Sequence, residues 1–273
     1  MLLPHTLYVI TGASRGFGQA IANAIASKAN HKSTLILVGR QRDPLENVAN
    51  QLQGNASVTA RVISDVSLDS AVAAQRTILK PLETMVTELQ QPVTRAVLVN
   101  NAGSTGDLSK KVSGYEAQEV QAYVDMNIAS YITLVSGFIR LFHPEEEDDN
   151  SAAAAVTAAT RPIAPELTIV NISSLLAVQP FANWGLYASG KAARDMLLRI
   201  VAKEEVCFES NLQPDPDTIN YKKMLHISMQ ESVRTLSYAP GPLDNEMQQH
   251  VRETLGDAEQ KKLYTDMAYE VTK

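Results

Sequence analysis

A single cysteine, Cys207, is all the chain has in 273 residues, so no disulfide can close within it; that suits a reducing compartment. Its five histidines form no cluster with Cys or acids, so no metal site is expected. Basic residues are the minority, 24 Lys and Arg against 30 Asp and Glu, for a net charge of -6. That balance argues against a nucleic-acid partner. No stretch approaches the roughly 18 consecutive apolar residues of a membrane span. The start, "LYVITGAS", lacks the basic and long apolar regions of a signal peptide. A soluble cytosolic protein without a membrane partner is the expectation. Aromatics are scarce at 5%, yet 45% of residues are hydrophobic and 20% charged, the composition of a globular chain.

What is present is an alternation of strands and helices. Strands are predicted at 6–10, 33–39, 57–64, 95–103, 166–174 and 232–241. Helices are predicted at 18–29, 43–53, 68–89 with a bend near Pro81, 119–142 and 185–205. Short apolar runs separated by crossover-length helices predict a Rossmann-like, doubly wound parallel sheet with helices on both faces, in a single domain over 1–273. Two polar stretches, 143–166 and 208–231, break the rhythm and read as solvated insertions.

After the first strand comes "TGASRGFG", with Gly12, Gly16 and Gly18. Glycines at this turn let backbone approach a pyrophosphate, and the following helix offers unpaired N–H groups at its positive end. Where an acid would receive a ribose 2′-hydroxyl, the second strand ends in Gly39-Arg40, and Arg15 sits inside the glycine turn. Guanidinium groups welcome a 2′-phosphate, so NADP(H) is expected over NAD. Asp65, past the third strand, is placed to accept from an adenine amino group. Ala102 and Gly103 of "NNAG" would let a ribose lie on the backbone.

Tyr187 and Lys191 of "LYASGK" share a helix face. A phenol is a poor acid at neutral pH, and an adjacent ammonium lowers its pKa. Ser174, at the end of the fifth strand, would orient a substrate carbonyl. Asn127 would hold a water linking Lys191 to solvent.

In this order, "TGASRGFG", "NNAG", Asn127, Ser174 and "YASGK" resemble the short-chain dehydrogenase/reductase family. The resemblance spans about 6–255. It implies an NADPH-dependent carbonyl reductase with Asn127, Ser174, Tyr187 and Lys191 as catalytic residues. "NISSLLAVQPFANWGLYASGKAARDML" and "YAPGPLDNEMQQ" are similar to members that reduce pterin side-chain ketones on the way to tetrahydrobiopterin. From that similarity, NADP contacts are implied at Gly12, Ser14, Arg15, Gly16, Phe17 and Gly18. Others are implied at Arg40, Gln41, Asp65 and Val66, at Asn101, Ala102 and Gly103, and at Tyr187 and Lys191. A last set is Pro240, Gly241, Leu243, Asp244 and Met247. Substrate contacts are implied at Ser173, Ser174, Tyr187 and Gly241, with Trp184 and Phe181 over the pocket. A homodimer is implied as well. The same members carry a later aspartate that anchors the pterin amino group, then a final strand. Neither Asp257 nor Asp266 has that context, so the anchor and the seventh strand are expected to be missing. A diketone or aryl ketone, or dinucleotide binding without turnover, are the alternatives.

Overall fold

The computed structural model describes residues 4–143, 166–204, 233–241, 243 and 245–271, with side chains to 266. Both predicted insertions, apart from their flanking residues, lie outside the described residues, as do Cys207 and Asp244. Six parallel strands form one sheet. They are β1 (His5–Thr11), β2 (Lys32–Val38), β3 (Val58–Ile63), β4 (Arg95–Asn100), β5 (Glu166–Ile172) and β6 (Val233–Tyr238). Their order is β3-β2-β1-β4-β5-β6. The order reverses between β1 and β4, the switch point where open parallel sheets bind ligands. Among the described residues the sheet has no seventh strand, and β6 is an edge. The outward Arg234 there lies 4.0 Å from Glu166, and an edge charge discourages strand addition.

Alternation along the strands divides the core in two. Leu7, Val9, Ile36, Val38, Ala96 and Leu98 pack on one face, and Ile10, Leu35, Leu37, Val97 and Val99 on the other. The second face is covered by α1 (Gly16–Lys28) and α2 (Arg42–Leu52). The first is covered by α3 (71–87), α4 (Ala117–Phe142) and α5 (Gly185–Glu204). Helix α4 is long and apolar enough to cross a membrane by composition alone, but Tyr131, Leu134, Val135, Phe138 and Phe142 are core residues against the sheet. After β6 come α6 (Glu246–Thr254) and α7 (Ala258–Val271).

The predicted irregularity in α3 is present, though not as a bend at Pro81 itself. A π turn, Gln75–Leu79, precedes Lys80-Pro81. Proline lacks an N–H and crowds the carbonyl four residues back, so widening the preceding turn relieves both. A second π turn, Asp125–Ala129, interrupts α4 and carries Asn127.

His5 is 1% exposed at the start of β1. Its Nε2 pairs with Thr34 Oγ1 at 2.9 Å and its Nδ1 with Gln91 C=O at 3.2 Å. Burial first, against the hydrogen bond to Gln91, lowers its pKa below 6.5. The unfolded chain therefore takes up this proton at a higher pH than the folded one, and stability falls as pH drops through 6.5 toward the folded value. The urea midpoint should fall more between pH 7.5 and 5.5 for the parent than for His5→Gln; equal falls would remove His5 as the cause.

Candidate active site

Thr11, Val38, Asn101, Ile172 and Tyr238, at or just past the carboxyl ends of five strands, line one cavity of about 1350 Å3. At one end is the glycine turn. Gly12 and Gly16 are left-handed, at φ 66° and 55°, a region open chiefly to glycine. Helix α1 starts at Gly16, with no side-chain cap from Arg15 and no acid in its first turn. Its first N–H groups therefore have no partner inside the helix, and Gly16 and Phe17 line the cavity. A Cβ at Gly16 or Gly241 would meet nothing within 4 Å. Gly18 is different: it does not line the cavity, and a Cβ there would collide with the Gly12 carbonyl and Asn101 Nδ2. It sets how closely α1 sits on β1. Asn101 fixes the same turn, its Nδ2 donating to the carbonyls of Thr11 at 3.1 Å and Gly12 at 3.2 Å.

Uncapped N–H groups beside open backbone suit a pyrophosphate, so the residues present fit a dinucleotide. Ser14, Arg15, Arg40, Val66, Asn101, Ala102 and Gly103 line the cavity, as do Pro240, Gly241, Leu243 and Met247. Arg15 forms an exposed ion pair with Glu246 across the rim. Two of the expected cofactor residues stand outside this lining. Asp65 does not line the cavity; its backbone is left-handed, φ 59°, and its carboxylate accepts from Ser64 Oγ at 2.7 Å and lies 3.9 Å from Arg42. Val66, Ser67, Leu68 and Asp69 form that wall instead. Gln41 is also absent from the lining and stands at the N-cap of α2.

At the other end Ser173, Ser174, Tyr187 and Lys191 line the same cavity. Lys191 Nζ lies 5.4 Å from the Tyr187 ring centroid and donates to the Ile172 carbonyl at 2.5 Å. Burial, then the like charge of Arg194, lowers Lys191 to about 7, against the pull of Asp195. Tyr187 is 8% exposed. Burial raises its phenol above 10, while the Ser174 hydrogen bond and then the Arg194 charge pull it down. In the protein alone desolvation outweighs the Ser174 bond and the Arg194 charge, so the phenol lies above its ordinary value and not below it as expected.

Asn127 is not in the cavity lining either. Its Oδ1 accepts from the Ser104 N–H at 2.9 Å, and its Nδ2 donates to Ser104 Oγ and the Tyr123 carbonyl, both at 3.1 Å. Its backbone carbonyl accepts from Arg194 Nε at 2.6 Å. Protein groups thus engage both its side chain and its backbone carbonyl. Gly103 lines the cavity, and a Cβ there would point at Asn127 and Arg194.

Trp184, 3% exposed, packs edge-on to Tyr187 at 5.4 Å and donates from Nε1 to Gln260 Oε1 at 3.1 Å. Tyr264 tilts against it at 5.8 Å. Leu176 and Phe181 belong to the same apolar cluster as Trp184 and Tyr187, and Val178, Gln179 and Leu263 also line the cavity. Asp257 caps α7, accepting from the Gln260 N–H at 2.9 Å, and Asp266 pairs with Lys262 at 2.6 Å; neither lines the cavity.

Sequence reasoning missed Arg194, Asp195, Gln260 and Tyr264. A signal for the first two was present: they lie three and four residues beyond Lys191, on the face of α5 that carries Tyr187.

The profile of the family described as short chain dehydrogenase matches residues 6–207. Sepiapterin reductase of Meriones unguiculatus is 38% identical over 256 residues, 92% of this chain and 79% of that one. A benzil reductase ((S)-benzoin forming) of Bacillus cereus is 25% identical over 252 residues, 90% of this chain and 79% of that one. Among solved structures, a metagenomic short-chain oxidoreductase in complex with NADP aligns with a TM-score of 0.54 at 25% identity, over 74% of this chain and 77% of that one. A profile match across most of the chain and that 38% identity leave one conclusion: the chain belongs to the short-chain dehydrogenase family.

Proposed function

We propose that the chain is an NADPH-dependent carbonyl reductase acting on the side-chain ketone of a pterin, in the formation of tetrahydrobiopterin. The observation that carries the reductase reading is one cavity joining the glycine turn to Ser174, Tyr187 and Lys191. The pterin reading is supported by the identity with a sepiapterin reductase.

The uncapped start of α1 and the Gly12–Gly16 turn would hold the pyrophosphate, and Arg15 and Arg40 the 2′-phosphate. Val66 to Asp69 would face the adenine. Bound there, NADPH supplies the hydride for the carbonyl carbon. The Tyr187 phenol gives its proton to the carbonyl oxygen, completing the two-electron reduction to an alcohol. Ser174 donates to the same oxygen and fixes its position. Lys191, its Nζ 5.4 Å from the Tyr187 ring centroid, would bind the ribose and tune the phenol. Trp184 and Phe181 wall the space for a flat substrate.

One observation favours a second substrate class. Tyr187 shares an apolar cluster with Leu176, Trp184 and Phe181, and the oxygen of the Gln260 amide in the cavity wall is already used by Trp184. An apolar aryl diketone fits that wall, in line with the Bacillus relative.

Initial rates of NADPH oxidation with sepiapterin and with benzil test the reading. Sepiapterin is expected to give the higher kcat/KM; benzil ahead would move the assignment to diketones, and NADPH binding without turnover of either would end the reductase reading. A homodimer is also proposed, supported by the exposed apolar residues Ile132 on α4 and Met196 and Ile200 on α5. Light scattering on the assayed sample should weigh two chains, and a monomer would remove that part.

A further inference from the structure

Gln260 stands in the cavity wall with one half of its amide engaged. Its Oε1 accepts from Trp184 Nε1 at 3.1 Å. An indole N–H only donates, so this bond fixes which way the amide is turned: the oxygen is on Trp184, and the NH2, with its two donors, is the other arm of the group. No described residue accepts from that nitrogen. Gln260 lines the same cavity as Ser174 and Tyr187. A single side chain joins it to the phenol ring, Trp184, which packs edge-on to Tyr187 at 5.4 Å.

The start of α7 holds the amide in place. Asp257 accepts from the Gln260 backbone N–H at 2.9 Å. Just before the helix, Gly256 donates its N–H to the Leu108 carbonyl at 2.9 Å. A Cβ on Gly256 would lie 2.5 Å from both Asn183 Nδ2 and the Ser109 carbonyl oxygen. The chain entering α7 is therefore pressed against the residue that precedes Trp184 and against the loop after β4. One turn on, Tyr264 tilts against the indole at 5.8 Å. Gln260 and Tyr264, four apart on one helix face, thus bracket Trp184. A donor held this way loses little freedom when it meets a ligand.

The acids of the cavity are engaged or lie elsewhere. Asp195 accepts from Asn171 Nδ2 at 2.8 Å and Ser173 Oγ at 2.7 Å. Glu246 pairs with Arg15 on the rim, and Asp69 belongs to the wall beside Val66. The polar group fixed by Trp184 is a donor, and it matches an oxygen or a ring nitrogen rather than an amino group.

We propose that Gln260 is a specificity-determining residue of this cavity: while the ketone oxygen of the substrate sits at Ser174 and Tyr187, the Gln260 NH2 donates to a second acceptor on the same molecule. The substrate class that follows is a ketone carrying another carbonyl oxygen or a ring nitrogen, not a simple ketone. The inference rests on the reductase reading and narrows it. A wall with a donor to satisfy penalises a ligand that leaves it unpaired.

Benzil and deoxybenzoin test the assignment. They share one carbon skeleton, and deoxybenzoin has a methylene where benzil has its second carbonyl. Equilibrium dialysis with NADP+ present gives both dissociation constants without turnover. The parent should bind benzil more tightly, by roughly 3- to 10-fold. Gln260→Leu should weaken benzil by about that factor and leave deoxybenzoin within about 2-fold of the parent. Gln260→Glu keeps an acceptor for Trp184 and puts an oxygen in place of the NH2. Benzil should weaken at least as much there, with deoxybenzoin again within about 2-fold. A parent that binds benzil no more tightly than deoxybenzoin overturns the proposal, a result available even where a variant does not fold. So does benzil binding that is unchanged in either folded variant. So does an equal loss for both ligands, which would leave Gln260 acting only through the Trp184 wall. A parent that prefers benzil yet reduces neither it nor sepiapterin sinks the reductase reading alone, and the ratio of constants still decides the role of Gln260.

Discussion

Replacing Tyr187 by phenylalanine is expected to lower NADPH-dependent carbonyl reduction by roughly 10²–10⁴-fold, the range set by loss of a positioned acid. The ring would remain. Its edge-on packing with Trp184, centroids 5.4 Å apart, needs no hydroxyl, and Leu108, Leu176 and Val251 belong to the same apolar cluster. What goes is the proton donor and the hydrogen bond with Ser174. The dinucleotide end of the cavity, from Gly12 to Phe17, is built without the phenol. NADPH affinity by calorimetry should therefore stay close to the parent while kcat collapses. A variant that retains its kcat would refute Tyr187 as the donor, and a variant that loses affinity in step with rate would make the phenol a binding group.

The second large effect is expected at Gly18. An alanine Cβ there meets the Gly12 carbonyl, with the Gly12 carbonyl carbon at 2.9 Å and Asn101 Nδ2 at 2.7 Å. Two of these are backbone, and Asn101 is held by its bonds to Thr11 and Gly12, so no flexible chain end can yield. Gly18→Ala should destabilise the fold by about 1–3 kcal/mol through overpacking. Because α1 must back away from β1, NADPH affinity should fall at least ~10-fold. Gly16→Ala is the control. Its Cβ meets nothing, and the cost is the left-handed backbone, roughly 1–2 kcal/mol. Urea unfolding with calorimetric titration separates them: Gly18→Ala should lose affinity beyond what its stability loss explains. Equal affinities in the two variants would show that the helix-to-strand distance does not set the phosphate site.

The sheet was readable because each strand is a short apolar run and each crossover is long, a pattern that leaves few topologies. The glycine turn and the Tyr187–Lys191 pair were readable for a related reason: both are local, and spacing along the chain alone places their atoms. The bonds that hold Arg194 were not readable, because its partners come from the loop after β4 and from α4, joined only by the fold. The left-handed backbone of Asp65 was not readable either, since a propensity reading of "ISDVS" carries no sign of it. The rise in the Tyr187 pKa was missed because depth of burial is a property of the packed molecule, whereas the i, i+4 spacing reports only proximity.

Trp184 is the one tryptophan of the chain, and it stands in the cavity wall, bonded to Gln260 and against Tyr187. All indole fluorescence therefore originates at a single address a ring's width from the proton donor. Reduced nicotinamide absorbs where indole emits, so loading with NADPH should dim that light and brighten the cofactor's own, making the molecule its own optical gauge of occupancy.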